Sequence, residues 1–435
     1  MTQPSTTDQV DYAGRSFWED RARQSVERVM TIEGQQSAEE TTLSKEDQAL
    51  LARGGSRMVA VYIGKLQDDT GAAYEQLDKE LRRFNLFAMF RWHGAPSDGK
   101  HQIILARGRA RKPKALPRWP AAFLFFLTIL SVLYTGLIVS TGVISLTDEA
   151  LAETIMAQPI LNLWRGLPYA FAILAILVPH ELGHWLTTRR YGIPASLPYF
   201  LPSFMLSPFG TFGAAILLRG TLRNRRMLFD LGASGPLAGL IFAIPILIIG
   251  LATSPVIPLE PGGLLEGNSL LYAGAKVLAF GRFLPDGQHD VMLNSFAWAG
   301  WTGLFVTALN LIPLGQLDGG HVLYSLIGQR ARKLFLPILL IMTFLALFVS
   351  AAWVAFAIML FLVGRYYAVP LDDVTPLDPF RRNLAIFTLV VFVLVFIPNP
   401  IYSLNEPSGL LGFLMTSSMM IVSLQRAVFS PFQRT

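Results

Sequence analysis

The chain of 435 residues contains no cysteine. Disulfides, thiol nucleophiles and thiolate metal ligands are excluded together, so any metal site must be built from histidine and carboxylate. Charge is the second scarcity: 15% of residues are Asp, Glu, Lys or Arg, against 52% hydrophobic, and the mean hydropathy is +0.44. That balance argues against a purely water-soluble globule. The charge is also unevenly spread, because residues 1–118 hold 35 of the 66 charged side chains and the other 317 residues share 31. The chain therefore reads as a polar N-terminal domain followed by a membrane-embedded body. The net charge of +6 does not point to nucleic acid, since the basic residues flank apolar spans and do not cover a soluble domain with stacking aromatics. They serve as topology signals, and no nucleic-acid partner is expected.

Three segments follow. Residues 1–56 are polar and mix both charge signs in runs such as SAEETTLSKEDQ, which reads as short surface helices or partly disordered chain. Residues 57–118 hold a strand in RMVAVYIGKL, an amphipathic helix in AAYEQLDKELRRF, and strands in NLFAMFRW and HQIILARG, giving a small βαββ domain and a basic linker. The first long apolar stretch begins only after Trp119, too late for a cleavable signal peptide. In 119–435, apolar spans fall at 121–142, 168–188, 230–252, 296–314, 334–349, 352–364 and 384–398, with weaker stretches at 268–280 and 410–422. A crossing helix needs about 20 apolar residues, so the shorter spans require tilt or local thinning. As one helix, the uncharged run between Lys333 and Arg365 would reach about 46 Å, so a hairpin breaking near Ser350 fits the bilayer better. The expected fold is a polytopic α-helical membrane protein of about seven transmembrane helices plus a small N-terminal α+β soluble domain. The segment 410–422 stays undecided.

Lysine and arginine in the short loops set the orientation. With a cytoplasmic N-terminus, the inner side receives the cluster at 107–118, Arg189, Arg190, Arg219, Arg223, Arg225, Arg226, Arg330, Arg332, Lys333, Arg365, Arg381 and Arg382. The outer loops receive only Arg165, Lys276 and Arg282, together with Asp148, Glu149, Glu153, Glu260, Glu266, Asp286 and Asp290.

The second span contains VPHELGHW, which places His180, Glu181 and His184 in an otherwise uncharged run. Ionisable groups at that depth are costly, so their presence points to function. His180 and His184, four residues apart on a helix, present both imidazoles on one face, where they can share a zinc ion. Glu181 then acts as general base toward the water that the metal activates. A catalytic zinc site needs a third protein ligand. The acidic residues close to apolar spans are Asp230 and Asp318, and Asp318, in NLIPLGQLDGGH, falls at the membrane level of His184. The two glycines after it let backbone pass close to the metal or turn the chain.

HELGH in one span and Asn310-Leu-Ile-Pro313-Leu-Gly-Gln-Leu-Asp318-Gly-Gly in another resemble the two signatures of the site-2 protease family, the zinc intramembrane metalloproteases. The resemblance covers about 119–400, including GASGPLAG at 232–239 and the tail LDDVTPLDPFRR, and is strongest to the bacterial and plastid branch with a small N-terminal soluble domain and no PDZ insertion. It implies one zinc on His180, His184 and Asp318, with Glu181 as catalytic base and Asn310 helping to hold the substrate backbone or the transition state. One departure is visible, Asn294-Ser295 where related sequences tend to carry His-Pro, and it touches no ligand. The stretch ASLPYFLPSFMLSPFGTFGAAILLRG is apolar yet broken by Pro198, Pro202, Pro208, Gly210 and Gly213, too often for a spanning helix. By resemblance it is the family's membrane re-entrant β-hairpin, whose edge strand can pair with an unwound substrate segment; otherwise it is an interfacial connecting loop.

The implied activity is hydrolysis of peptide bonds in or near transmembrane segments of membrane-protein substrates, as in regulated intramembrane proteolysis. The implied setting is the bacterial inner membrane with a cytoplasmic N-terminus, and the lipid bilayer and such substrates are the expected partners. The small domain would gate substrate, meet a cytoplasmic regulator or dock on the membrane. One competing enzyme, a prenyl-protein-processing HExxH protease, would be expected to use a glutamate as third ligand, and the body glutamates other than Glu181 lie in loops. A metal or ion transporter using His180, His184 and Asp318 is the non-enzymatic alternative, but paired broken halves are not apparent. His321 reads as a locally bonded residue or a neighbour of the site; His289, His93 and His101 have no partner at metal spacing; Pro179 kinks its helix or is an ordinary membrane-helix proline; Trp298 and Trp301 read as packing residues.

Overall fold

The computed structural model describes residues 20–37, 41, 43–108, 116–259, 264–403, 409 and 410. The beginning of the polar segment, most of the basic linker, Glu260 and the apolar stretch 411–422 lie outside the described residues.

Residues 20–108, Arg219–Leu228 and Ala368–Pro379 form one unit. Its centre is a four-stranded antiparallel sheet in the spatial order Met30–Ser37, Arg57–Leu66, His101–Arg107, Leu86–Trp92. Helix Thr70–Leu81, capped by Asp69 accepting from the Ala72 amide, buries Ala73, Tyr74, Leu77 and Leu81 at helical spacing. The three strands and one helix expected for 57–118 are all present. Before Arg57 the expected short helices occur at 20–27 and Lys45–Gly54, and between them the structure adds a strand that was not expected, Met30–Ser37, which pairs with Arg57–Leu66. The strand was hard to see because it lies at the sheet edge and carries few apolar residues in MTIEGQQS, with one side largely solvated.

The opposite edge, Leu86–Trp92, is covered by chain from far along the sequence. Phe90 donates to the Leu371 carbonyl (2.9 Å), and Asp373 donates back to Phe90 (3.2 Å). The buried Arg91 guanidinium bonds the Pro370 and Leu371 carbonyls and pairs with Asp47 at 2.6 Å. Asp372 and Asp373 are buried, and Asp373 receives Arg225 at 3.1 Å. The tail motif LDDV thus completes a sheet edge.

Leu116–Leu218, Phe229–Tyr367 and the described residues from Phe380 onward form the second unit. Among the described residues, four helices are long and apolar enough to cross a membrane: Trp119–Ser145, Pro159–Arg190, Arg225–Ala252 and Asp318–Val349. Shorter apolar helices occupy Ser295–Asn310, Trp353–Val363 and Pro379–Val395. Each of the seven stretches expected to span is therefore helical, while four helices among the described residues reach spanning length. The helix Asp318–Val349 stops before Ser350, which is extended, and helix resumes at Trp353, so the chain breaks where a 31-residue helix would have overrun the bilayer. The weaker stretch near 268–280 is the 11-residue helix Leu270–Phe280. Trp298, Trp301 and Phe305 stack in sequence, with centroids 5.1 and 5.6 Å apart, and the Trp301 indole donates to the Gly267 carbonyl. They pack the core.

The proline-broken stretch forms a hairpin, Tyr199–Pro202 antiparallel to Thr211–Ala215. Its tip is held on three sides: the Tyr169 hydroxyl donates to Phe209, the Trp298 indole to Pro208, and the Phe204 amide to Ser131. Those bonds satisfy backbone groups that a proline-rich segment cannot satisfy internally.

Candidate metal centre

Helix Leu167–Arg190 opens with Pro168, where a missing amide proton costs nothing, and closes with Arg189 and Arg190 at its negative end. Between them it runs through Pro179 and stacks the His180 and His184 rings one turn apart, centroids 5.1 Å. Their Nε2 atoms are 3.3 Å apart. Helix Ser295–Asn310 ends at Asn310, the chain turns through Gly315 in the left-handed region (φ 61°), and a new helix starts at Asp318. The turn packs tightly: a Cβ on Gly319 would lie 1.9 Å from the Leu311 carbonyl oxygen. The LDGG glycines serve the turn. Asp318 Oδ2 lies 3.3 Å from His184 Nε2 and 3.6 Å from His180 Nε2. Among the described residues, these three are the one group of histidine and carboxylate donors gathered closely enough to hold a metal ion.

The spacing fits a tetrahedral ion. Ligand bonds of 2.0–2.2 Å at the tetrahedral angle set donor atoms about 3.3 Å apart. Proton sharing accounts for it less well. His184 Nδ1 lies 2.8 Å from the Leu231 carbonyl, which can only accept, so in the neutral ring the proton sits on Nδ1 and Nε2 presents a lone pair toward Asp318. Two acceptors then face each other at 3.3 Å, an arrangement that a cation resolves.

Glu181 is buried beside His180 and, among the described residues, has no hydrogen-bond or ion-pair partner. Its carboxylate is uncommitted. The Asn310 amide nitrogen lies 3.3 Å from His180 Nε2, so the residue implied to assist substrate stands at the centre. Asp230, the other acidic residue weighed from sequence, is elsewhere: it forms a two-pronged pair with Arg381 (2.8 and 2.9 Å) and accepts from the Tyr191 hydroxyl. His321 is buried one turn beyond Asp318, with its backbone bonded locally to Leu317 and Ser325. His289 lies beside Asp286, and His101 accepts from the Leu66 amide next to Trp92. Asn294, in the departing Asn-Ser pair, caps helix Ser295–Asn310 by accepting from the Phe296 and Ala297 amides.

The motif GASGPLAG carried no role in the sequence reading, and the structure supplies one. A Cβ on Gly235 would lie 2.1 Å from His184 Nε2, so the helix Arg225–Ala252 approaches the imidazole with no room for a side chain. Glycines at 232, 235 and 239 recur at helical spacing, a signal of close helix approach in membranes.

Comparison with known proteins agrees with these features. The model of Peptidase family M50 matches residues 168–351. "Probable zinc metalloprotease EGY2, chloroplastic" of Arabidopsis thaliana is 28% identical over 366 residues, covering 81% of this chain and 62% of that protein. The protein of the same name from Oryza sativa subsp. indica is 27% identical, covering 81% of this chain and 63% of its own length. "Probable zinc metalloprotease EGY1, chloroplastic" of Oryza sativa subsp. japonica is 27% identical, covering 78% and 62%. The chain thus spans less than two thirds of the length of these relatives. Their names are chloroplastic, which gives no support to the bacterial inner membrane expected from sequence; the apolar helices support a membrane protein. The matched region contains both motifs and all three candidate donors, and over that region the chain is similar to Peptidase family M50, the site-2 protease family that its motifs resemble.

Proposed function

We propose that the protein is an intramembrane zinc metalloendopeptidase that hydrolyses peptide bonds in or near transmembrane segments of membrane-protein substrates. The observation that carries this reading is the donor spacing of 3.3, 3.3 and 3.6 Å among His180, His184 and Asp318. In this reading those three side chains hold the ion, which when bound acidifies a water and polarises the scissile carbonyl. Glu181 takes the proton of that water and returns it to the departing amine, a role that suits a buried carboxylate with no competing hydrogen bond. The Leu231 carbonyl holds His184 in the tautomer that leaves Nε2 free. The Asn310 amide donates to substrate backbone or to the developing oxyanion.

The same reading takes the three shorter apolar helices as tilted crossings, giving seven in all, and takes the hairpin Tyr199–Ala215 as re-entrant, with Thr211–Ala215 offering an edge to an unwound substrate segment. It retains a small N-terminal soluble domain without a PDZ insertion, on the side of the arginine-rich loops, with cleavage nearer that side. The relatives reported above are named metalloproteases, which favours this reading over a transporter.

Purified full-length protein with zinc is expected to cleave members of a tagged single-span substrate library, and Glu181→Gln to lose about 10²–10⁴-fold in rate. Undiminished cleavage by Glu181→Gln would sink the mechanism.

A further inference from the structure

The N-terminal unit contains a cavity of about 480 Å³ between two helical stripes of the same design. The helix at 20–27 and the turn after it contribute Arg21, Gln24, Ser25 and Arg28, spaced i, i+3, i+4 and i+7. Helix Thr70–Leu81 and the turn Arg82–Phe84 contribute Gln76, Lys79, Glu80 and Arg83 at the same spacing, with Phe84 at the end. The apolar positions of the two helices, Ala22 and Val26 on one and Ala73 and Leu77 on the other, are buried, so the cavity is open and lies on their exposed faces, where Arg21, Arg28, Lys79 and Arg83 are solvent-accessible.

The charge inside is unbalanced. Four cationic side chains line the cavity against one carboxylate, Glu80, which already bonds Arg28 at 3.3 Å and Gln76 at 3.4 Å. Among the described residues neither Lys79 nor Arg83 has an ion-pair partner. Like charges converging on one space repel, and an anion between them relieves that repulsion. Two such cations side by side, Lys79 and Arg83, match a polyanion better than a monoanion. The volume lies within the range of small-molecule sites, and the half-buried Phe84 ring and the Gln24 and Gln76 amides supply an apolar face and neutral hydrogen-bonding groups beside the cations.

We propose that this cavity binds a soluble small molecule bearing two or more phosphates, of the nucleoside diphosphate class, with Lys79 and Arg83 holding the phosphates. The cavity shares no residue with the candidate metal centre, so its test does not depend on proteolysis.

The test is calorimetric titration of the full-length protein, in neutral detergent, with inorganic pyrophosphate and with ADP. One saturable site is expected, weakened about tenfold by Lys79→Ala and by Arg83→Ala, with unfolding midpoints unchanged. Raising salt weakens it further. Glu80→Gln is expected to tighten binding by removing a like charge, whereas a purely structural role for Glu80 predicts weakening. Absence of saturable binding by both probes up to about 1 mM, or binding indifferent to Lys79→Ala and Arg83→Ala, overturns the proposal. A third arm adds nanodiscs of phosphatidylcholine with or without phosphatidylglycerol. Displacement of pyrophosphate by phosphatidylglycerol alone would assign the phosphate to a lipid headgroup and overturn the soluble ligand.

Discussion

At Lys276 the chain buries an ammonium group completely and surrounds it with carboxylates, Glu266 at 2.8 Å and Asp290 at 3.0 Å, with the Tyr272 hydroxyl also on Glu266. At His180 and His184 the same unit gathers two imidazoles and one carboxylate, and there the neutral His184 ring, with its proton directed to Leu231, leaves lone pairs facing each other. The first cluster carries its own cation, one ammonium bonded to both carboxylates. In the proposed reading the second takes its cation from outside. Buried ionisable groups alone therefore do not mark a candidate metal centre; what separates the two is whether a cation of the chain itself already lies between the acceptors. The Lys276 cluster draws on Glu266 and Asp290 from short strands flanking helix Leu270–Phe280, and acts as a staple between connecting segments.

If that contrast holds, the two clusters should fail differently. The largest effect is expected from Asp318→Asn, which removes the anionic donor: zinc content by atomic absorption should fall to background and proteolysis with it, while the fold survives. Full zinc stoichiometry in that variant would break the comparison on the metal side. Next comes Lys276→Met, which strands two buried carboxylates and should cost about 3–5 kcal/mol in thermal or denaturant unfolding, leaving zinc content per folded protein unchanged. Adding Glu266→Gln and Asp290→Asn to it should restore most of the loss, because a neutral cluster no longer needs a counter-charge. Gly235→Ala should act on the first cluster alone, lowering zinc affinity by roughly 10–100-fold through displacement of the His184 ring, measurable by competition with a chelating dye. The smallest effect is expected from Asn294→Ala, the loss of a helix cap worth about 1 kcal/mol, with no change in zinc affinity.

Much of the centre was legible in the residues. The four-residue spacing of His180 and His184 means one helix face wherever the helix lies, and the scarcity of acids near apolar spans left two candidates for a third donor. Choosing between Asp230 and Asp318 was a matter of inferred depth, and the structure gives the reason in contacts: Asp230 is occupied by Arg381 and Tyr191, which are 151 and 39 residues away in sequence. The role of Gly235 was not legible, because a glycine states only that no side chain is present, not which imidazole fills its place. The strand Met30–Ser37 was missed for the opposite reason, since an edge strand with one wet side carries too little apolar pattern to announce itself.

Local chemistry thus fixed what depends on neighbours along the chain: the lack of cysteine restricted metal ligands to His and carboxylate, apolar runs became helices, and five proline and glycine breaks turned one apolar stretch into a hairpin. Tertiary structure decided what depends on partners distant in sequence. It placed Asp318 beside histidines more than 130 residues earlier, closed a sheet edge of the N-terminal unit with residues 368–379, and set Lys276 between two carboxylates from separate strands. A residue's type and spacing set which bonds it can make, but which bonds remain to be made is set by the groups that packing brings to it.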